Sequence, residues 1–432
     1  MSKPSGGSRR QNRHPRSRRR GGGRQRDEGG EQANPGRVAA ARAQLDVREG
    51  AHLEEALATH LPAEPRDRGL GWFLGYGVQR RRGQVDAALR PHLRQPLASL
   101  DPEVQVVLRL GAFEKLFGRA GAHAVVHQWV EVSRRIGAGR ASGLVNAVLR
   151  RCASRPEGGP EANHPAWLVD RWIERYGEEA ASTWMGANDE APPVFVVAPD
   201  GLPEGLVAEP AEGHGVGSGV FLLGSEVGPV TELPGFEQGR FWVQDLAAVA
   251  VADLTRAGEG TTVLDACAAP GGKSFRLASH GAVVHAVDRS DGRLDRLREG
   301  AERLGQSITT EAHDWSTGPL PSGATYDVVL VDAPCTGLGT VRRHPEIRWR
   351  RSPVDLPAAA ARQRAILDAA ATHVAPGGRL VYAVCSPEPE EGEEVVDAFV
   401  ASHPSFERVE ALHTAPPTAG EDAHAAFVLK RS

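Results

Sequence analysis

The chain has 432 residues, 40% of them hydrophobic, with 50 glycines, which is long enough for two or three domains with buried cores. No stretch approaches the roughly 18 uncharged apolar residues of a membrane span, no apolar secretory core opens the chain, and four cysteines without a Cys-x-x-Cys pair make neither a disulfide framework nor a thiolate zinc site, so integral-membrane and secreted classes are excluded and a reducing cytoplasm is expected. The net charge of -4 hides an asymmetry: residues 1–36 hold ten Lys and Arg against three Asp and Glu, and the remainder holds 41 against 52, so only the head carries a bulk charge suited to a polyanion.

Residues 1–36 are Arg, Gly and Ser with almost no apolar side chains and are expected to be a disordered tail. It is read either as a salt-sensitive RNA tether or as a solvated solubility segment. From 37 to 155 apolar residues recur every three and four positions, in VAAARAQLDVREGAHLEEALATHL, DPEVQVVLRLGAFEKLFGRAGAHAVVHQWVEVSRRI and GLVNAVLRRCA, which predicts an all-α bundle. Asp101 stands as an N-cap before Pro102 and Glu103. The segments LRLGAFEKLFGRAGAHAVVHQWVEVSRR and ASGLVNAVLRR resemble the helical domain of the antitermination factor NusB. That resemblance implies a bundle that docks RNA or protein, the alternative being a plain packing module.

Residues 156–239 mix Pro and Gly with short apolar runs such as VFVVA and VFLLG and are expected to form a connecting subdomain. HPAWLVDRWIERYGEEAASTWMGANDEAPP reads as one or two short helices whose Trp167, Trp172 and Trp184 follow the helical face and belong to a core. From 240 to 432 the pattern becomes alternating strands and helices, with strands at 262–268, 283–288, 309–314, 326–333 and 379–386. This is the grammar of an α/β, doubly wound (Rossmann-like) parallel sheet. Ligands of such sheets bind at the carboxyl ends of the strands, where Asp265, Asp288, Asp314, Asp332 and Cys385 fall.

DACAAPGGKS (265–274) leaves the first strand and opens a helix, with Gly271 and Gly272 allowing close backbone approach, but it has neither Walker nor dinucleotide spacing. Asp288 is placed to accept from ribose hydroxyls and Asp314 to meet an adenine edge. A strand-end or helix cap is the alternative for each acid singly. Taken together the acids suggest S-adenosylmethionine. DAPCTGLGTVRRHPEIRWRR (332–351) sets Arg342, Arg343, Arg348, Arg350 and Arg351 around Trp349, and is expected to clamp phosphates with Trp349 either stacking or packing. Cys335 and Cys385 fall at adjacent strand exits, a pairing unlike that of an inert buried cysteine.

DACAAPGGKS, DAPCTGLGTVRRHPEIRW and YAVCSPEPEEGEEVV together resemble the RNA 5-methylcytosine methyltransferases of the NOL1/NOP2/Sun family, and with the NusB-like segment the resemblance covers residues 40–432. It implies S-adenosylmethionine-dependent methylation of cytosine carbon 5 in small-subunit (16S) ribosomal RNA by a monomer that uses no metal and no membrane. It also implies that Cys385 is the nucleophile, that Asp332 holds the target ring, and that Cys335 assists product release. The cofactor site it implies comprises Cys267, Ala268, Ala269, Pro270, Gly271, Gly272 and Lys273 with Asp288, Asp314 and Asp332. A DNA cytosine methyltransferase, which attacks with the proline-cysteine thiol, and a non-catalytic ribosome-assembly or antitermination factor are the competing readings.

Overall fold

The computed structural model describes residues 32–152, 155–223, 228–418 and 420–432. The expected Arg-rich tail therefore lies outside the described residues up to position 31; its residues 32–36 are described, and the last two, Pro35 and Gly36, already belong to the first helix. Seven helices come first: α1 (Pro35–Arg48), α2 (Leu53–His60), α3 (Pro65–Arg80), α4 (Arg82–Leu89), α5 (Pro102–Phe117), α6 (Ala122–Arg135) and α7 (Ser142–Arg151). Local chemistry sets their starts. Asn34 accepts from the Arg37 backbone N–H at 3.1 Å ahead of Pro35, and Glu64 accepts from that of Asp67 at 2.7 Å ahead of Pro65. Asp101 does occupy the N-cap of α5, but its side chain makes no capping bond.

The apolar stripes of α1, α3, α5, α6 and α7 meet around Trp129, which is fully buried; burying one large apolar side chain contributes about 1.5–3 kcal/mol. Its indole N–H donates to Glu114 Oε2 at 2.8 Å, and the same carboxylate pairs with Arg37. The one acid in this core is therefore neutralised and hydrogen-bonded, as a buried charge requires.

Next come α8 (Ala166–Tyr176) and α9 (Glu178–Asn188), then a small antiparallel sheet of β1 (Val194–Val197), β2 (Ala208–Pro210), β3 (Val220–Leu223) and β4 (Trp242–Val243) in the order β2-β3-β1-β4. Gly177, at φ +83°, makes the break between the two helices. Trp172 and Trp184 stack at 4.0 Å between centroids inside a cluster that includes Leu338, Val341 and Leu356 from much later in the chain. The aromatics thus pack, as their spacing predicts.

The rest of the chain runs α10 (Leu246–Asp253), β5 (Thr262–Asp265), α11 (Gly272–Ser279), β6 (Val283–Asp288), α12 (Asp291–Arg303), β7 (Thr309–Ala312), β8 (Tyr326–Asp332), α13 (Ile347–Arg350), α14 (Asp355–Ala371), β9 (Val374–Val384), α15 (Glu393–Ser402), β10 (Phe406–His413) and β11 (Ala425–Arg431). The sheet order is β10-β11-β9-β8-β5-β6-β7. Strands β5 to β9 are parallel, while β11 and β10 extend the sheet antiparallel. The parallel sheet expected from the sequence is therefore a mixed one, because β10 turns back into β11, which inserts antiparallel between β10 and β9. Strand alternation divides the core: Val328 and Leu330 of β8 face the layer of α11 and α12, and Val329 and Val331 face that of α14 and α15. The strand order reverses between β5 and β8, which opens a crevice at their carboxyl ends.

Candidate active site

A cavity of about 530 Å3 occupies that crevice, lined by Ala266, Cys267, Ala269, Asp288, Arg293, Asp314, Trp315, Asp332, Cys335, Ile366 and Cys385 among others. Its size is in the range of small-molecule sites, roughly 300–1,000 Å3. The turn after β5 forms one wall. Gly271 has φ +115°, and a Cβ there would lie 2.6 Å from the Phe275 ring and 2.8 Å from Leu297, so only glycine closes this turn against α12. Ala268, Pro270, Gly271, Gly272 and Lys273 stand behind the wall, with Ala268 tied by its N–H to the Val287 carbonyl at 2.9 Å.

Each acid is held in a defined orientation. Asp288 is buried and accepts from the Ser290 N–H at 3.0 Å and the Ala269 N–H at 3.3 Å. Asp314 lies two residues past β7 and caps a single helical turn; the Ser316 N–H at 2.9 Å holds its carboxyl below the ordinary range. Asp314 is thus both a cap and a cavity residue. Asp332 ends β8 and takes the Lys273 ammonium at 2.7 Å. Burial opposes the charge on Lys273, but the Asp332 carboxylate outweighs it and raises the ammonium above its usual value. Beneath them Asp265 is buried with Oδ2 accepting from Ser274 at 2.7 Å and Oδ1 unpartnered, and burial pushes its carboxyl up to about 7. Sequence reasoning placed Asp265 at a strand end but gave it no role.

Cys335 and Cys385 come together, Sγ to Sγ at 3.2 Å. The hydrogen bond to Cys385, then burial, pushes the Cys335 thiol well above its ordinary value. Burial does the same to Cys267, so that thiol stays protonated and inert. The two loops behind the sulfur pair are joined by Glu391, which sequence reasoning missed. This fully buried carboxylate accepts from the Thr336 N–H at 2.8 Å, the Thr336 hydroxyl and Gln363 at 3.1 Å, while Tyr382 donates to its carbonyl at 2.6 Å. The acidic run after β9 was its only signal.

The Arg-rich loop is not the phosphate clamp expected from its composition. Arg342 donates to the Ala191 carbonyl at 2.9 Å, Arg343 pairs with Asp245 at 2.6 Å and Asp422 at 2.9 Å, and Arg351 donates to the Thr336 carbonyl at 2.9 Å. Arg348, fully buried, donates to the Asn188 carbonyl at 2.8 Å and pairs with Asp189 at 3.3 Å. Arg350 reaches the Val47 carbonyl at 2.6 Å and that of Ala51. Trp349 donates to the Gln79 carbonyl at 2.9 Å, with the Arg82 guanidinium 4.9 Å from its ring. The physical reason is that α1, α3 and α9 end here, and their last carbonyls have no intrahelical partner. Guanidinium groups supply the donors and sit favourably at the negative helix ends. The loop is a strut that fastens the front helices to the seven-stranded sheet.

Among the described residues no helix is long and apolar enough to cross a membrane, and no group of three or more His, Cys, Asp or Glu is arranged to hold a metal. Residues 253–427 match the family model described as 16S rRNA methyltransferase RsmB/F, and residues 35–154 match the NusB family. The ribosomal RNA small subunit methyltransferase B of Thermus thermophilus is 40% identical over 368 residues, spanning 84% of this chain and 86% of that one. The protein of the same name from Pseudomonas putida is 36% identical over 398 residues, spanning 86% and 90%. The crystal structure of PH0851 superposes with a TM-score of 0.76 at 21% identity, covering 92% of this chain and 99% of that one, which is a likeness of fold. With close identity running through both the helical front and the crevice-bearing sheet, the chain belongs to the ribosomal RNA small subunit methyltransferase B family.

Proposed function

We propose that this methyltransferase acts in the cytoplasm on small-subunit ribosomal RNA, moving a methyl group from S-adenosylmethionine to carbon 5 of a cytosine through a transient bond to Cys385. The observation that carries the reading is the thiol pair, 3.2 Å apart at the exits of β8 and β9 beside Asp332, opening on the acid-lined cavity. The donor set suits S-adenosylmethionine: Asp288 and Asp314 offer acceptors that would hold its hydroxyl and amine groups. When bound, that cofactor supplies an electrophilic methyl group.

Cytosine carbon 5 is a poor nucleophile, and the protein's task is to activate it. In this reading Cys385 is the attacking sulfur, the role its motif's resemblance implies, and Cys335, 3.2 Å away, is the thiol that assists its departure. The Cys385 thiol gives up its proton to solvent in the crevice as its sulfur bonds carbon 6, and the ring's double-bond electrons move toward carbon 5 and the nitrogen between the carbonyl and amine carbons. Asp332 relays a proton from the Lys273 ammonium 2.7 Å away to that nitrogen, which neutralises the charge as it develops. After carbon 5 is methylated, solvent in the crevice takes its remaining proton, that electron pair re-forms the double bond to carbon 6, the ring nitrogen returns its proton to the Lys273–Asp332 pair, and the carbon–sulfur bond breaks. Cys335 donates to the departing Cys385 thiolate.

The test follows the two sulfurs separately. Cys385→Ala should abolish methylation and any covalent adduct. Cys335→Ala should still attack and transfer methyl but accumulate a protein–RNA adduct that survives a denaturing gel. The reverse pattern would move the nucleophile to Cys335. Bisulfite sequencing of small-subunit ribosomal RNA from cells with and without the gene should reveal one cytosine that loses its protection; no change would remove the assigned substrate.

A further inference from the structure

A second, smaller cavity of about 220 Å3 lies on the β11 side of Cys385, away from the acid-lined crevice, with Tyr176, Pro387, Glu393, His413, Ala415 and His424 in its wall. Sheet register places it. Ala425 pairs with Val384, so His424 stands on the neighbouring strand beside Cys385, and Pro387 is two residues beyond that sulfur. Three polar atoms of this wall are buried without a hydrogen-bond partner: Tyr176 Oη, Glu393 Oε2 and His424 Nδ1. Each such group carries a desolvation penalty that folding alone leaves uncompensated. Three on one small wall are the mark of a ligand that brings the missing partners.

The wall is preorganised. Arg175 donates to the Pro387 carbonyl and lies 5.3 Å from the Tyr176 ring centre, holding the phenol in place. The other oxygen of Glu393 lies 3.5 Å from His413 Nε2. Burial pushes the Tyr176 hydroxyl up to about 12 and the His424 imidazole down to about 4, so the wall offers a hydroxyl donor, a neutral imidazole and an acceptor-only carboxylate. Pro387 and Ala415 add apolar surface. An anion would meet the Glu393 carboxylate, and the volume is below the roughly 300 Å3 at which larger ligands fit. A neutral planar heterocycle with both donor and acceptor edges satisfies all of these conditions.

We propose that this cavity is a base pocket for a nucleotide next to the target cytosine, and that Glu393 selects a base carrying an exocyclic amine over uracil. The proposal rests on the RNA-methylation reading above and adds the residues that read the neighbouring base. The test measures dissociation constants and turnover for small-subunit ribosomal RNA fragments in which an abasic residue, or uracil, is walked through the positions flanking the target. On unmodified RNA, Glu393→Gln and Tyr176→Phe should each weaken binding and raise KM about tenfold, the loss of a buried hydrogen bond, with kcat held. One abasic position should cost the wild type at least that factor and erase the difference between wild type and variants.

Because the Tyr176 hydroxyl has no partner within the protein, Tyr176→Phe should raise Tm while weakening RNA binding, a combination that structural damage cannot produce. Variants that bind like wild type, or a deficit of equal size on every abasic RNA, would overturn the pocket. Wild-type protein that methylates none of the fragments would instead sink the methyltransferase reading, and the binding pattern would still decide the pocket.

Discussion

Asp265 lies beneath the Lys273–Asp332 pair, and its effect on the fold has a definite sign. Unfolded, its carboxyl titrates near 3.8; buried, at about 7. Between those values the folded chain keeps a proton that the unfolded chain has released, so unfolding free energy falls as pH rises through the window, by up to about 4 kcal/mol. Asp265→Asn should flatten that slope. Asp422, also pushed up to about 7 by burial, leaves a residual slope in the variant. Urea midpoints at pH 5 and 7.5 check this, and parallel trends for wild type and variant would acquit Asp265. The Asp288 side chain answers to a different measurement. Asp288→Ala should weaken S-adenosylmethionine roughly tenfold to a hundredfold by calorimetry, the worth of hydrogen bonds to a charged acceptor. Unchanged affinity would take it out of the site. Both acids are legible in the sequence, since each ends an apolar run. Glu391 and Ser274 are not, because their roles come from partners 55 and 9 residues away that meet only when the strands pair.

Among elements, the five parallel strands and both helical regions follow from periodicity, since alternation and three-four spacing reflect faces that the fold does bury. The segment from Leu338 to Arg351 is the opposite case. Its composition suggests a surface for phosphates, yet the guanidinium groups terminate helices that are remote in sequence, and no local pattern records those partners. Arg348 gives the sharpest test. It is fully buried between Asp189 and the carbonyls of Asn188 and Val341. Arg348→Met should leave Asp189 buried without this partner and destabilise the chain by about 3–5 kcal/mol, while the salt dependence of RNA binding stays the same. A variant that kept its stability and lost about one unit of salt slope would restore the phosphate-clamp role.

Taken as a whole, the molecule has its positive charge concentrated at one end. With the arginines of the strut engaged by carbonyls and carboxylates, the acidic remainder of the chain has little loop charge left over for long-range attraction to RNA, and that part falls to residues 1–31, which hold ten Lys and Arg against three Asp and Glu. These residues have almost no apolar side chains to anchor a particular sequence, so their contribution is counterion release, which is blind to sequence. Deleting them should weaken binding to every RNA by a similar factor and reduce the slope of log affinity against log salt by up to about 5, if each net charge neutralises one single-strand phosphate. The methylated position and kcat should not change, because the strand-end acids and the thiol pair are all carried by the sheet. Binding titrations of target and scrambled RNA across salt concentrations separate the terms. If the deletion instead removes the preference for target over scrambled RNA while the salt slope stays fixed, recognition resides in the tail and the charge argument fails.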